Sequence, residues 1–508
     1  IGASGQGLDR IPEGVQPGLF QGAGQEGDAG GASPQGDGAV QQDGGGTKGQ
    51  PRLRPGRGRG GGKNVSVSGT KSVEVDLFSP EADRLSSDLF VSKDEPPIIV
   101  GTILPSPAPL SNYVPDKEED TAKSFSKTKH FAKNLKAIKA LLAIVKDGDR
   151  LATAEEKEML SDYVGWGGIK AVNRIAGSKL WSNSDLPFKG MYEELVVLIK
   201  EFEDLGYVGL MKDISRSTLN AHYTSPDVIR GVYHALSKLG FTGGNILEPS
   251  AGIGNFIGYA PKDILDKSSI TAIELDKFTG KILEKLYPSV YTKIKGYQDV
   301  KIANGSVDLV ISNIPFGDYD VTPNKSDSDI AKRAAGRIHN YFFIKAIEQA
   351  REGGLVAFIT TAGTLDTPGN EFVRTYINDN TEFVGAIRLP STAFKVNAGT
   401  EVVTDVIFLK KNTNAKSNQD IINTTEVNVP GGSIGINNYF VNNPDHVIGD
   451  IKLDFGLHGR KALVVDYDGN DIGKRINDIV EKHFTKNIYA KRDQESIDAE
   501  TTKIGEER

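Results

Sequence analysis

The sequence predicts an α/β fold built on a mostly parallel, doubly wound sheet, and three observations carry that prediction. From Asp227 onward, short apolar runs alternate with helix-length amphipathic segments. The runs are nearly continuous in Ile, Val and Leu, as strands buried on both faces require. A Gly-rich loop joins the first run to the next helix, where such sheets bind their ligands.

The elements follow in order. A length of 508 residues suggests two to four structural units, and a start at Ile1 instead of Met reads as a segment of something longer. Residues 1–125 read as a disordered Gly/Pro-rich linker. Up to about residue 63 they hold too few aliphatics to offset chain entropy. The basic stretch Arg52 to Lys63 is either a solvated charge cluster or a phosphate contact.

Residues 126–215 read as a helical accessory region. Leu135, Ile138, Leu141, Leu142 and Val145 recur at helical spacing, and Gly148 stops the helix. TAEE at Thr153 is a capping box opening a second helix, which ends near the turn GWGG, Gly165 to Gly168. Trp166 in that turn could stack on nucleic acid, but a buried aromatic is the simpler reading. Helical pattern resumes over about 190–205.

Residues 216–412 carry the alternating pattern. The helix DVIRGVYHALSKLG precedes the strand NILEP, and strand ITAIEL precedes the helix DKFTGKILEKLY. Then come strand VDLVIS, helix HNYFFIKAIEQAR and strand GLVAFITT. EFVGAIRLP and VVTDVIFLKK are expected to close the sheet as an antiparallel edge pair. Residues 413–508 form a polar extension leading toward a further domain, with a turn at Gly431 and Gly432 and a charged helix from about 470.

Composition excludes several functions. A net charge of −7 argues against a purely electrostatic nucleic-acid binder, though not against an enzyme with one local groove. The chain has no cysteine, which removes disulfides, thiolate zinc sites and cysteine nucleophiles. No apolar run nears the ~18 residues of a membrane span. The expected compartment is the cytoplasm, bacterial or phage-delivered, with no membrane partner.

The loop LEPSAGIGNF offers the first candidate site, with Glu248, Pro249, Ala251, Gly252 and Gly254 as ligand contacts. Glycines let backbone amides approach a ligand closely. The loop lacks both the third Gly of a dinucleotide fingerprint and the Lys of a phosphate loop. About twenty residues on, the strand ends in AIELD. A carboxylate there binds a ribose diol in such sheets; Glu274 is the first choice and Asp276 its rival.

SNIPFG follows the strand VDLVIS and supplies the candidate catalytic residues Asn313, Ile314, Pro315 and Phe316. It resembles the Asn-Pro-Pro-aromatic motif of amino-methyltransferases, with Ile314 in place of the first Pro. An exocyclic amine on a base is a poor nucleophile because its lone pair is delocalised. Two acceptors, the Asn side-chain oxygen and a backbone carbonyl, can bind both amine hydrogens and favour a pyramidal nitrogen. Proximity and oriented acceptors then carry the step without a tuned base. The aromatic ring stacks on a flipped base.

The resemblance implies a Rossmann-like class I methyltransferase fold and S-adenosyl-L-methionine as cofactor. NAHYTSPDVI resembles the motif preceding the cofactor loop in gamma-type adenine-N6 DNA methyltransferases, which implies cofactor contacts at Tyr223 and Thr224, with Pro226 shaping the turn. KGYQDVKI resembles the third-strand motif of that family and implies Asp299 at the cofactor's adenine. The segment from Arg388 to Lys411 resembles type I restriction-modification methylation subunits, with Phe394 beside the base pocket. YVGWGGIK, SNIPFGDYDV and NNYFVNNPDHVIG are similar to large phage and conjugative-element proteins that fuse a methyltransferase to a helicase. That likeness, over about 130–450, implies DNA as substrate, a helicase domain elsewhere in one polypeptide, and protection from restriction. No helicase phosphate loop occurs in these residues.

Rival functions differ in what they need. Cytosine-C5 methylation requires a cysteine nucleophile and is excluded. Cytosine-N4 methylation uses the same acceptors but more often opens its motif with Ser. RNA or protein-glutamine methylation remains open, as does a degenerate fold that binds DNA or partners without turnover. His222 and His339 read as packing residues, and no metal site is expected.

Overall fold

The computed structural model describes residues 111–115, 126–167, 169–173, 181–183, 185–218, 224–315, 320–394, 402–455 and 461–491. The linker expected over 1–125 lies outside them apart from 111–115. Tyr223, His222, Phe316 and Gly168 also lie outside them.

Four helices come first: α1 (Lys127–Lys146), α2 (Ala154–Ser161), α3 (Lys189–Asp204) and α4 (Leu210–Ser217). The capping box is present. Thr153 accepts from the Glu156 backbone N–H at 3.2 Å, and Glu156 accepts from the Thr153 N–H at 2.8 Å. Trp166 is fully buried, edge-on to Phe131 with ring centroids 5.0 Å apart, so it is a core residue.

Helix α5 (Pro226–Lys238) leads into β1 (Asn245–Glu248), followed by β2 (Ser269–Glu274), α6 (Lys277–Leu286), β3 (Tyr291–Ile294) and β4 (Val307–Asn313). Then come α7 (Ile338–Gln349), β5 (Ala350–Thr361), α8 (Glu371–Asn380), β6 (Thr381–Arg388) and β7 (Thr404–Lys411). The seven strands lie in the order β3-β2-β1-β4-β5-β7-β6. All run parallel except β7, which is antiparallel to both its neighbours. This is the sheet of a Rossmann-like class I methyltransferase. The expected antiparallel pairing of β6 and β7 is present, but β7 inserts between β5 and β6 and does not close the edge.

Period-two alternation along the strands explains the apolar runs. Leu247, Val310, Val356, Phe358, Ile407 and Leu409 pack on one face, under Tyr341, Ile344 and Ile347 of α7 and Val373 and Ile377 of α8. Ile246, Leu309, Ile311, Leu355, Ala357, Ile359, Val406 and Phe408 pack on the other, under Val228, Ile229 and Val232 of α5. Each strand thus needs apolar residues at both parities.

The boundary expected at 412 does not end the core. Hairpins β8 (Thr424–Val429) with β9 (Gly432–Asn437), and β10 (Asp450–Phe455) with β11 (Lys461–Asp466), lead to α9 (Ile472–His483). Ile476, Ile479 and Val480 of α9 join the second face beside α5. The crossing is so close that a Cβ on Gly231 would meet Ile476 Cγ2 at 2.7 Å. The helical region is equally built in. Phe202 of α3 meets Phe278 of α6 edge-on at 5.0 Å, and Lys285 donates to the carbonyls of Asp149 and Arg150 at 2.6 and 2.8 Å.

Candidate active site

In a parallel sheet the loops after β1, β2, β3 and β4 share one edge, and the N-terminus of α5, joined to β1 by a short connection, faces the same way. Every described candidate contact for the cofactor or the target amine lies in one of those segments.

The loop after β1 is shaped by two glycines with left-handed φ, +57° at Gly252 and +90° at Gly254. At Gly254 a Cβ would strike the Tyr287 ring at 2.6 Å and Leu283 Cδ1 at 2.7 Å. That residue must be glycine for the loop to seat against α6. Ala251 donates to the Ile273 carbonyl at 2.9 Å, tying the loop to β2.

Glu274 ends β2, and its carboxylate accepts from the Gly252 N–H at 2.8 Å and the Asp276 N–H at 2.8 Å. Asp276 is the N-cap of α6 and accepts from both the N–H and the hydroxyl of Thr279, at 2.8 and 2.7 Å. The two acids thus divide the work, since Asp276 holds a helix end while Glu274 faces the Gly-rich loop. Burial, with the Asp276 carboxylate beside it, pushes Glu274 up to about 7. Glu248 is buried at the end of β1; burial, then the charge of Glu274, raise its carboxyl well above the ordinary range. Its Oε2 has no hydrogen-bond partner among the described residues.

This donor set fits one kind of ligand. Glu248, Glu274 and Asp276 end the strands or cap the helix around the Gly-rich loop, and no Lys or Arg lies between Leu247 and Phe256. Lys277 is directed elsewhere, donating to the Val208 carbonyl at 3.0 Å. Carboxyl oxygens with no cation among them offer phosphate no counter-charge and suit a cationic, hydroxyl-bearing molecule. S-adenosylmethionine, with its sulfonium, ammonium and ribose diol, meets that description.

The second loop adjoins the first. Ser312 of β4 donates to the Ser250 carbonyl at 3.2 Å. This tie, which no motif announces, sets Asn313 next to the Gly-rich loop. Asn313 is the last residue of β4, opposite Ile359 of β5. Ile314 donates its N–H to the Ile359 carbonyl at 3.1 Å, and its side chain is 1% exposed within the core. A proline there could make no such bond. The isoleucine therefore fixes the loop by sheet pairing and burial. Ile314→Pro, although it brings the loop nearer the family motif, is expected to destabilise the fold by about 1–3 kcal/mol, because it leaves the Ile359 carbonyl unpaired. Urea unfolding checks this; an unchanged midpoint would contradict it.

The remaining candidates lie outside these two loops. Thr224 is buried just before α5. Asp299 is exposed on a short turn after β3, where Gln298 Nε2 donates to it at 3.0 Å. Phe394 is fully buried among sheet residues, so its ring packs the core and does not wall an open pocket. His339 is likewise buried, on α7.

Residues 291–429 match the family model N-6 DNA Methylase. The match covers about a quarter of the chain. It includes β3, β4 with Asn313, and the antiparallel insertion of β7. Among curated proteins, Defense against restriction protein B of Escherichia phage P1 is 29% identical over 196 residues, covering 38% of this chain. The match spans only 8% of that relative's own length. Among solved structures, the methyltransferase subunit of a type I restriction-modification system from Streptococcus thermophilus is 14% identical with a TM-score of 0.33, over 69% of this chain and 79% of that one. A Listeria monocytogenes protein provisionally described as a class I S-adenosylmethionine-dependent methyltransferase is 16% identical with a TM-score of 0.34, over 57% and 91%. Among the described residues, no helix is long and apolar enough to cross a membrane.

Proposed function

We propose that the chain transfers a methyl group from S-adenosylmethionine to the exocyclic N6 amine of adenine in DNA. The observation that carries this reading is the Ser312–Ser250 tie, which sets Asn313 beside the acid-lined loop. Thr224, the Gly-rich loop and Glu274 would hold the cofactor, with Glu274 on the ribose diol and Asp299 toward the adenine. When bound, the cofactor supplies an electrophilic methyl group. The Asn313 side-chain oxygen accepts one hydrogen of the target amine, and the Ile314 carbonyl accepts the other. Phe316 stacks on the flipped base. The phage P1 relative is named for defense against restriction. We extend that role to this chain, as methylation that shields element DNA from host restriction.

The deciding experiment incubates the protein with labelled S-adenosylmethionine and unmethylated plasmid, then digests the DNA to nucleosides. Label in N6-methyladenosine supports the reading. Label in N4-methylcytosine, or cofactor binding without turnover on any nucleic acid, overturns it.

Cofactor affinity should also depend on pH. Ionised Glu274 accepts the ribose hydroxyls; the protonated form replaces an acceptor with a donor. With its carboxyl at about 7, affinity is full above that pH and falls as pH drops through it. The limiting slope is about tenfold per pH unit. Calorimetric titration between pH 5.5 and 8 (approximate limits of the titration) should show this slope, and Glu274→Gln should flatten it. A flat wild-type profile would remove Glu274 from the diol.

A further inference from the structure

We propose that Asp445, His446 and His483 form a zinc-class divalent cation site that fastens α9 to the far edge of the sheet. One donor atom from each of the three lies within 4.8 Å of the others. His483 Nε2 stands 2.7 Å from Asp445 Oδ2, and the two imidazole rings are 4.5 Å apart between centroids. Ligands of a tetrahedral zinc stand roughly 3.4 Å apart, so small side-chain adjustments close the site.

His446 carries the inference. It is 4% exposed, and its Nε2 has no hydrogen-bond partner among the described residues. An unsatisfied buried nitrogen is costly, and a metal would satisfy it. The other ring nitrogen is fixed from behind. Nδ1 lies 2.8 Å from the Tyr439 hydroxyl and 3.2 Å from the Ala386 carbonyl. A carbonyl demands Nδ1–H, and that tautomer leaves the Nε2 lone pair for a cation. This backing of a ring N–H by a carbonyl is the usual support of a metal-ligating histidine.

The surroundings agree. His483 is the last residue of α9, where the partial negative charge of a helix C-terminus favours a cation. Two imidazoles and one carboxylate suit zinc better than magnesium or calcium, which prefer oxygen, and leave one position for water. Lys482 competes, with its ammonium 2.9 Å from Asp445 Oδ2. It is 69% exposed, so it can leave for solvent when a metal arrives. Bound metal would join the turn Pro444–His446, whose next residues return to β6 through Ile448 N–H to Arg388 O at 2.9 Å, to the helix covering the second face. No sequence motif announces this site, because its residues come from two separate segments.

The test uses the full, tag-free chain, loaded with zinc, dialysed and assayed for metal content. Competition with a chromophoric chelator then gives the affinity. The expected result is one zinc per chain and a melting temperature raised by zinc but not by magnesium. His483→Gln and Asp445→Asn, both at solvent-reaching positions, should keep the metal-free melting temperature while weakening zinc binding at least about tenfold. Absence of stoichiometric zinc would overturn the proposal. So would zinc bound equally well by both variants, which would place the metal elsewhere.

Discussion

Asn313→Ala should lower methyl-transfer turnover by about 10²–10³-fold, the usual cost of one oriented polar group at a reacting centre. Cofactor affinity should stay within about twofold, because the proposed cofactor contacts lie on other segments. The cofactor contacts lie on the loop after β1 and the end of β2, where Glu274 and Gly252 bond to one another. Asn313 sits one residue beyond Ser312, whose hydroxyl makes the bridge to Ser250. The loop itself should persist, since Ile314 stays bonded to the Ile359 carbonyl and buried. Single-turnover assays with labelled cofactor and plasmid, run beside calorimetry, separate the two quantities. A variant with full rate would remove Asn313 from the chemistry. One that lost affinity and rate together would make it a structural support of the cofactor cleft.

The same local bonds show what could be read in the sequence and what could not. Strands were legible because both faces of the sheet are covered. Ile246 and Leu247, or Val356 and Phe358 against Leu355 and Ala357, must all be apolar, and the run stands out. The place of β7 was not legible. Two consecutive apolar strands announce a pair, but nothing local says that the second lies inside the first. The Gly-rich loop was visible from its spacing. The division of labour between Glu274 and Asp276 was not, since both are acids two residues apart; it depends on Thr279 completing a helix cap. At Ile314 the sequence shows only a departure from the Asn-Pro-Pro-aromatic pattern. The structure gives it a backbone bond that proline lacks. The extension after 412 read as polar because its hairpins are largely solvated, while the apolar stripe Ile476, Ile479 and Val480 is only one face of a charged helix.

The largest stability effect should come from residues that no motif singled out. Arg388, the last residue of β6, is fully buried. Its Nε and one terminal nitrogen donate to the two Asp405 oxygens at 2.8 and 2.9 Å, a bidentate pair across the β6–β7 junction. Asp366 stands 2.9 Å from the other terminal nitrogen, and Phe440 lies under the guanidinium at 4.1 Å. Asp405 is itself fully buried at the start of β7. Asp405→Ala leaves a buried cation facing one partly solvated carboxylate and is expected to cost about 3–5 kcal/mol. Removing both charges, as in Arg388→Met with Asp405→Leu, should cost less than the single change, because the fully buried cation is gone and the Asp366 carboxylate left behind reaches solvent and keeps the Asn437 N–H. Urea unfolding of the three proteins checks the order. If the double variant were the less stable, the pair would be a net source of stability. If Asp405→Ala were silent, Asp366 alone would suffice as counter-ion. Arg388 and Asp405 face each other in the register that places β7 inside the sheet, so the order of the three stabilities reports on the junction that seats this antiparallel strand.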